Sequence, residues 1–505
     1  MARLVVTVRL PEAIRRYTRD QEIVELDGST VREVLDALVA AHPDTRIRLF
    51  ADDDRLHGHL HLFCRQTEVP ADELDTTLVG PGDEIDVIVA VSGGSVDVRM
   101  RGFRERSTVE EALSAALDGV EPLEAEAVSV SECAGRVLAS DVVSEVAVPP
   151  FRRSTMDGYA VRAEDTYGAS TYDPVLLEIS GQSMPGDGST ASAGAGRAVR
   201  IMTGAPVPDD ADAVVRAEDA DEVDGRLAVR TGVAPGRNVG RVGEDIEPGT
   251  TVLTEGRRLL PQDVGLLASI GRDPVPVRRR PAVRIVVSGD ELLAPGSKPA
   301  GSKIVDSNSP MLSALTERDG GIPEIVRLPD DADRMREALA APAVDVIVTA
   351  GGASVGTEDR VPLLVAELGE MSVHGVAMRP SSPTGVGRIG GRPVLVLPGN
   401  PVSCLVAYDF FAGPVIRTLA GLSPDWPYRV ARLPLRTRIV SQIGRTDYAR
   451  VMIRDGMVEP LAVSGASVLS SVTRATGFVI IPSGLEGYPE GTEVEVHLYD
   501  AGRLS

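Results

Sequence analysis

The amino-acid sequence predicts an α/β chain built from several domains. Its 505 residues exceed what one domain of ordinary size holds. Three apolar stretches, RPAVRIVVSGDEL, AVDVIVTAGGASVG and RPVLVLPGNPVSC, each run into a glycine-containing loop and then a helical pattern. Strands alternating with helices in this way imply a parallel, doubly wound sheet. On either side lie blocks of short strands broken by Gly and Pro, the pattern of smaller β domains.

Composition narrows the partners. Hydrophobic residues make up 43% and aromatics only 3%, so the cores must be packed with Val, Leu, Ala and Ile. A net charge of −22 repels nucleic acid and anionic membrane surfaces. No run of 18 apolar residues is present, so no membrane span is expected, and the N-terminus lacks the pattern of a signal peptide. Cys64, Cys133 and Cys404 are too scattered for a disulfide framework or a zinc site, which fits a reducing cytoplasm. Lys298 and Lys303 are the only lysines; arginine supplies almost all positive charge.

Taken in order, residues 1–94 read as a small α/β unit. VVTVRL and IVELD are strands, Val31 to Ala41 is an amphipathic helix capped by Ser29 or Thr30, and HLHLFC and DEIDVIVAV are further strands. The unit closes on Gly93-Gly94. Residues 95–104 are a polar, basic linker. Residues 105–280 begin with a helix and continue in short strands, with an inserted β domain at about 145–245. The doubly wound domain occupies 281–424, and 425–505 return to short strands, as in a small β-barrel.

Several loops carry candidate chemistry. STMDGYAVR sets Asp157 beside a glycine, IMTGAPVP sets Thr203 before a turn, and GRVGEDIEPG puts Glu244 and Asp245 in a tight loop. Each alone reads equally as an ordinary turn. AGGASVGTED, with Gly351, Gly352, Ser354 and Gly356, is a strand-to-helix loop whose backbone N–H groups suit a phosphate, although it is not a nucleoside-triphosphatase P-loop. LPGNPVS, with Pro398, Gly399, Asn400, Pro401 and Ser403, is a second such loop, where Pro401 leaves helix-start donors for an anion. Ligands gather where these strands end.

Together STMDGYAVR, MTGAPVP, GEDI, SGDEL, GGASVG, LPGNPVS, GRTDYARV and LSSV resemble, in order and over about 400 residues, the molybdopterin molybdotransferase family (MoeA, the gephyrin E-domain family). Residues 1–94, with PGDEIDVI and the Gly-Gly pair, resemble the ubiquitin-like β-grasp sulfur carrier of molybdopterin synthase (MoaD). The resemblance implies an extended segment, an inserted β domain, a doubly wound MogA-like domain and a C-terminal barrel. It also implies a cytoplasmic, magnesium-dependent enzyme that takes molybdate and adenylyl-molybdopterin, releases AMP and leaves molybdenum on the pterin dithiolene. The family forms homodimers, with the site between the doubly wound domain of one subunit and the inserted domain of the other.

Magnesium wants oxygen ligands. The candidate carboxylates are Asp157, Asp245, Glu291, Asp331 (or its neighbour Asp330) and Asp359, with Asp245, Glu291 and Asp331 as the metal set and Thr203 as a donor to phosphate. The chain departs from the family in VHGVAMRPSSPTGVG. Positions that usually carry lysine, held to bind the molybdate oxyanion, read Gly375, Arg379 and Ser382. Arg379 still suits an oxyanion, Ser382 takes a substrate-binding position without a charge, and Arg388 or Arg445 are candidate replacements. This departure keeps two alternatives open: a scaffold without catalysis, or a paralogue for another oxyanion such as tungstate. His57, His59 and His61 share a strand face, but no partner ligand is visible and a solvent-facing strand is the expectation. In the sulfur-carrier family Gly94 would be the chain end; here it is bonded to Ser95. Either a protease cuts there, freeing a carrier for the adenylating enzyme and the large subunit of molybdopterin synthase, or the domain is a docking module.

Overall fold

The structure is a computed structural model and describes residues 5–10, 12–15, 17–18, 21, 23–50, 56, 60–65, 67–70, 73–89, 106–186, 191–352, 360–463 and 465–500. His57, His59, Gly93, Gly94, the linker 95–104, Ser354, Gly356 and Asp359 lie outside them. The chain divides into two compact units, 1–123 with 280–505, and 124–279.

In the first unit, the N-terminal residues form a five-stranded sheet in the order Ile23–Asp27, Val5–Arg9, Glu84–Val89, Leu60–Cys64, Thr67–Val69. Val5–Arg9 and Glu84–Val89 run parallel at its centre, and the other pairs are antiparallel. The helix Val31–Ala41 is capped by Thr30, whose Oγ1 accepts from Glu33 N at 3.2 Å, while the Glu33 carboxylate accepts from Ser29 N at 2.9 Å. Val31, Val34, Leu35 and Leu38 meet Val6, Val8, Leu62 and Ile85 in an aliphatic core. This is the β-grasp arrangement.

The doubly wound sheet runs Ile322–Leu328, Ala282–Ser288, Val346–Ala350, Arg392–Leu397, Gly385–Ile389, Glu370–His374. The first four strands are parallel, and every residue of Val346–Ala350 is buried, as a sheet covered on both faces requires. The last two strands are antiparallel, an addition to the expected parallel sheet. Its cause is local: Ile389 pairs with Arg392 across Gly390 and Gly391, at φ +58° and +81°, and two successive left-handed residues make the tight hairpin turn that matches strand twist. Gly391→Val is therefore expected to cost about 1–2 kcal/mol, read as an earlier urea midpoint.

One helical run, Pro401–Leu419, is long and apolar enough to cross a membrane, but 89% of that window is buried inside the protein. Beside it lies a buried ionic network. Arg318 pairs with Asp319 at 2.8 Å and with Asp409 at 2.9 Å, and Arg417 meets Asp319 at 3.0 Å. Tyr428 donates to the Asp409 carboxylate at 2.8 Å and Trp426 Nε1 to its carbonyl at 2.9 Å. The C-terminal residues form a sheet of Met378–Arg379, Thr446–Arg454, Gly477–Ile481, Glu493–Leu498 and Arg429–Pro434, with Met457–Ala462 paired to Thr446–Arg454. It curls on itself where Leu435 bridges Val458. Ser107 opens the segment that follows the linker and pairs with Val376, its N–H donating to Gly375 O at 3.0 Å.

In the second unit, Ala125–Val128 pairs with Val275–Arg278, and Val142–Val143 with Thr251–Leu253, so the chain leaves and returns beside itself. Between these pairs lies a six-stranded sheet in the order Ala213–Arg216, Gly158–Val161, Arg197–Ile201, Val175–Ser183, Arg226–Val229, Ala220–Val223.

Candidate active site

A cleft of about 690 Å³ opens where the parallel strands end, within the range of small-molecule sites. Ser288, Gly289 and Glu291 line it from the first loop, Ala350, Gly351 and Gly352 from the second, and Pro398, Gly399, Asn400 and Pro401 from the third. The first two loops lie close because the second lacks a side chain where they meet: a Cβ on Gly351, at φ +108°, would sit 2.9 Å from the Ser288 carbonyl oxygen, whereas one on Gly399 would make an ordinary 3.5 Å contact with Gly351 Cα.

Three carboxylates line the cleft, Glu291, Asp330 and the buried Asp306. Glu291 folds back over its own loop, so a Cβ on Gly289 would meet its Oε2 at 2.7 Å. Asp330 accepts from Asp290 N at 3.3 Å, and Asp290 returns the bond at the same length. The expected ligand was Asp331 or its neighbour Asp330, and Asp331 is a helix cap. Its Oδ1 caps the helix Ala332–Ala340, accepting from Asp333 N at 3.0 Å and Arg334 N at 2.9 Å, and it is Asp330 that lines the cleft.

The third loop departs from expectation in a second respect. The donors Pro401 was expected to leave for an anion are taken, because Val402 N and Ser403 N donate to Ala466 O at 2.9 and 3.4 Å. Ser403 is buried, and its carbonyl accepts from Ser381 Oγ at 2.6 Å. Ser467, also in the lining, donates to Asn400 Oδ1 at 2.8 Å, and Asn308 Nδ2 donates to Gly399 O at 2.7 Å. Sequence reasoning missed Asp306 and Asn308. Asp306 is buried, accepting from Ser309 N at 2.9 Å and Oγ at 2.5 Å and from Arg327 Nε at 2.9 Å. Burial pushes its carboxyl up, but the Ser309 bonds outweigh that and hold it below the usual range. The signal was IVDSNSP, an acid three residues before a helical N–H.

The oxyanion positions are also rearranged. Arg379 is clamped on Asp447, its Nε 3.1 Å from Oδ1 and its Nη2 on Oδ2. Ser382 Oγ donates to Val376 O at 3.1 Å. Arg388, a candidate replacement, donates from Nη2 to Asp118 O at the C-terminal end of the helix Val109–Leu117.

In the other unit, Asp157 Oδ1 accepts from Thr203 N at 2.7 Å and from Thr203 Oγ1 at 2.8 Å, and these bonds lower its pKa. The Thr203 hydroxyl proton, expected for phosphate, is therefore committed to Asp157. Glu244 pairs with Arg153 at 2.8 Å, and Asp245 beside it is exposed. Among the described residues no three His, Cys, Asp or Glu side chains form a metal-holding group.

Comparison with known proteins gives four family matches. The MoeA N-terminal region (domain I and II) matches residues 107–271, the family described as "Probable molybdopterin binding domain" 284–418, the MoeA C-terminal region (domain IV) 432–499, and the ThiS family 8–94. The molybdopterin molybdenumtransferase 2 of Mycobacterium tuberculosis is 36% identical over 385 residues, covering 73% of this chain and 94% of that protein. The molybdopterin molybdenumtransferase of Bacillus subtilis is 34% identical, over 74% and 90%. The crystal structure of a molybdopterin biosynthesis MoeA protein from Pyrococcus horikosii superposes with a TM-score of 0.68 at 34% identity, covering 79% of this chain and all of that one. With its strand-end cleft and matches that run from residue 107 to residue 499, the chain belongs to the MoeA family, preceded by a ThiS-family domain.

Proposed function

We propose that the chain is a molybdopterin molybdenumtransferase. It takes molybdate and adenylyl-molybdopterin, cleaves the pyrophosphate link, releases AMP and leaves molybdenum on the dithiolene. The observation that carries this is the cleft, with Glu291 and Asp330 facing glycine backbones that a phosphate can approach closely.

Glu291 and Asp330 fit magnesium, which takes one or two carboxylates and completes its shell with water and phosphate oxygens. Bound there, the ion would offset the charge that develops on the pyrophosphate. The Gly351–Gly352 backbone receives the substrate, and Asn308 and Ser467 hold the third loop in place. Asp359 is assigned to the same site from its motif. Asp157, Thr203 and Asp245 serve, on this reading, in the cleft of a second copy. Phe151, Met156, Met202 and Val242 support it: they are exposed apolar side chains flanking those residues, and such a face fits one covered on dimerisation.

The test is AMP release, followed by chromatography, from adenylyl-molybdopterin with molybdate and magnesium. Release that stops on chelation is expected. Silence from this protein where the Bacillus subtilis enzyme turns over would sink the reading. A second reading, a transferase for another oxyanion such as tungstate, is favoured by Gly375 and Ser382; turnover with tungstate and none with molybdate would establish it. For the ThiS-family domain we propose sulfur-carrier partners, the adenylating enzyme and the large subunit of molybdopterin synthase. The intact mass of the native protein decides whether Gly94–Ser95 is cut.

A further inference from the structure

Among the described residues, the lining of the cleft holds three carboxylates, Glu291, Asp306 and Asp330, and no Lys, Arg or His. An anionic substrate that approaches it meets a negative field, in a chain whose net charge is already −22. Positive charge stands instead at the rim. Leu292–Leu293 pairs with Ile304–Val305, and Leu292, Ile304 and Val305 line the cleft. The residues between them, 294–303, form an arm at its edge, and every one of them is exposed. The base of the arm is tied: Ile304 N donates to Glu291 O at 2.9 Å and Asp306 N to Leu293 O at 2.9 Å.

The sequence of the arm sets its shape. In Ala294-Pro295-Gly296-Ser297, Ser297 N donates to Ala294 O at 3.1 Å and Gly296 stands at φ +87°. Proline then glycine at the two central positions is what a type II turn asks for. In Ala300-Gly301-Ser302-Lys303 the bond runs from Lys303 N to Ala300 O at 3.1 Å, and Gly301 takes φ +63° at the first central position, the requirement of a type II′ turn. An arm that buries no side chain and carries its shape in its own turns can swing as a unit with little loss of packing. Lys298 and Lys303 are the only lysines in the chain, and this arm carries both. Both are exposed, and among the described residues neither ammonium group has a hydrogen-bond or ion-pair partner. A compact charge on a flexible stem suits a contact that is made and released in every turnover.

We propose that the arm closes over the cleft when substrate binds, with Lys298 and Lys303 paired to the pyrophosphate oxygens. The arm supplies from the rim the positive charge that the lining lacks. That the anion is a pyrophosphate rests on the molybdenumtransferase reading; the closing of the arm on an anion in the cleft does not.

The experiment uses the full chain and ADP with magnesium, a stable probe that carries the adenosine and the pyrophosphate of that substrate. Binding is followed by calorimetry at low and at raised salt, and acetylation of the two lysines by mass spectrometry. ADP is expected to slow the acetylation of Lys298 and Lys303. Lys298→Gln with Lys303→Gln is expected to bind ADP about three- to tenfold more weakly at low salt, the worth of two exposed ion pairs. At raised salt it should bind as the parent does, and Lys298→Arg with Lys303→Arg should do so at both. Equal affinity of the parent and the glutamine variant at low salt overturns the proposal, as do lysines acetylated at the same rate with ADP bound, or a parent that binds no ADP. Turnover of adenylyl-molybdopterin separates the two readings. An unchanged KM in the glutamine variant of an active parent overturns the arm and leaves the transferase standing. Protected lysines and weakened binding in a chain that releases no AMP uphold the arm and remove the transferase.

Discussion

Glu291→Gln is expected to lower AMP release about a hundredfold or more while the melting profile stays put. The side chain keeps its size but loses the charge that, on the proposed reading, the cleft presents to magnesium and pyrophosphate. Gly289→Ala should reproduce part of the loss without touching the carboxylate, because the added methyl would sit 2.7 Å from Glu291 Oε2 and displace it. The neighbouring aspartates separate the site from its frame. Asp330→Asn should impair turnover, since Asp330 lines the cleft. Asp331→Ala should chiefly remove a helix cap, at about 1 kcal/mol of stability. If Asp331→Ala were the inactive variant and Asp330→Asn the active one, the assignment of the cleft carboxylates would be reversed.

Asp409→Ala is expected to cost about 3–5 kcal/mol, because breaking a buried pair strands the remaining charge. Asp409 is wholly buried; burial pushes its carboxyl up and Arg318 pulls it back. The loss leaves Arg318 with one carboxylate among the described residues, Asp319, which also serves Arg417, and Tyr428 loses its carboxylate acceptor. The chain's single tryptophan reports the change, since Trp426 donates to the Asp409 carbonyl. Its fluorescence in urea should show an earlier transition. A midpoint equal to that of the parent would show that the network adds nothing to stability.

The three strand-to-glycine-loop repeats were legible because each strand is buried on both faces and reads as an unbroken apolar run. Ile322–Leu328 was not, because it is the edge strand, half exposed and carrying Glu324 and Arg327. The site divides in the same way. Glu291 and the glycines of the second and third loops follow from chain order alone, since strand ends gather at one edge. Which of Asp330 and Asp331 faces the cleft depends on where the next helix begins. The Ala466 carbonyl covers a helix start some sixty residues earlier, and no local pattern in VSGASV announces it. The pairing of Ser107 with Val376 joins segments far apart in sequence, and no local pattern announces it.

That pairing has a consequence for the N-terminal domain. Ser107 is fastened to Gly375 and Ala377, and Gly94 precedes it by 107 − 94 = 13 residues. An uncut chain of that length reaches at most about 45 Å. Every partner that grips the Gly-Gly segment is thereby held near the MoeA-family half at a raised effective concentration, about millimolar for a short connection. Dilution would then leave a transfer between the two halves unchanged, whereas cleavage after Gly94 would make it second order.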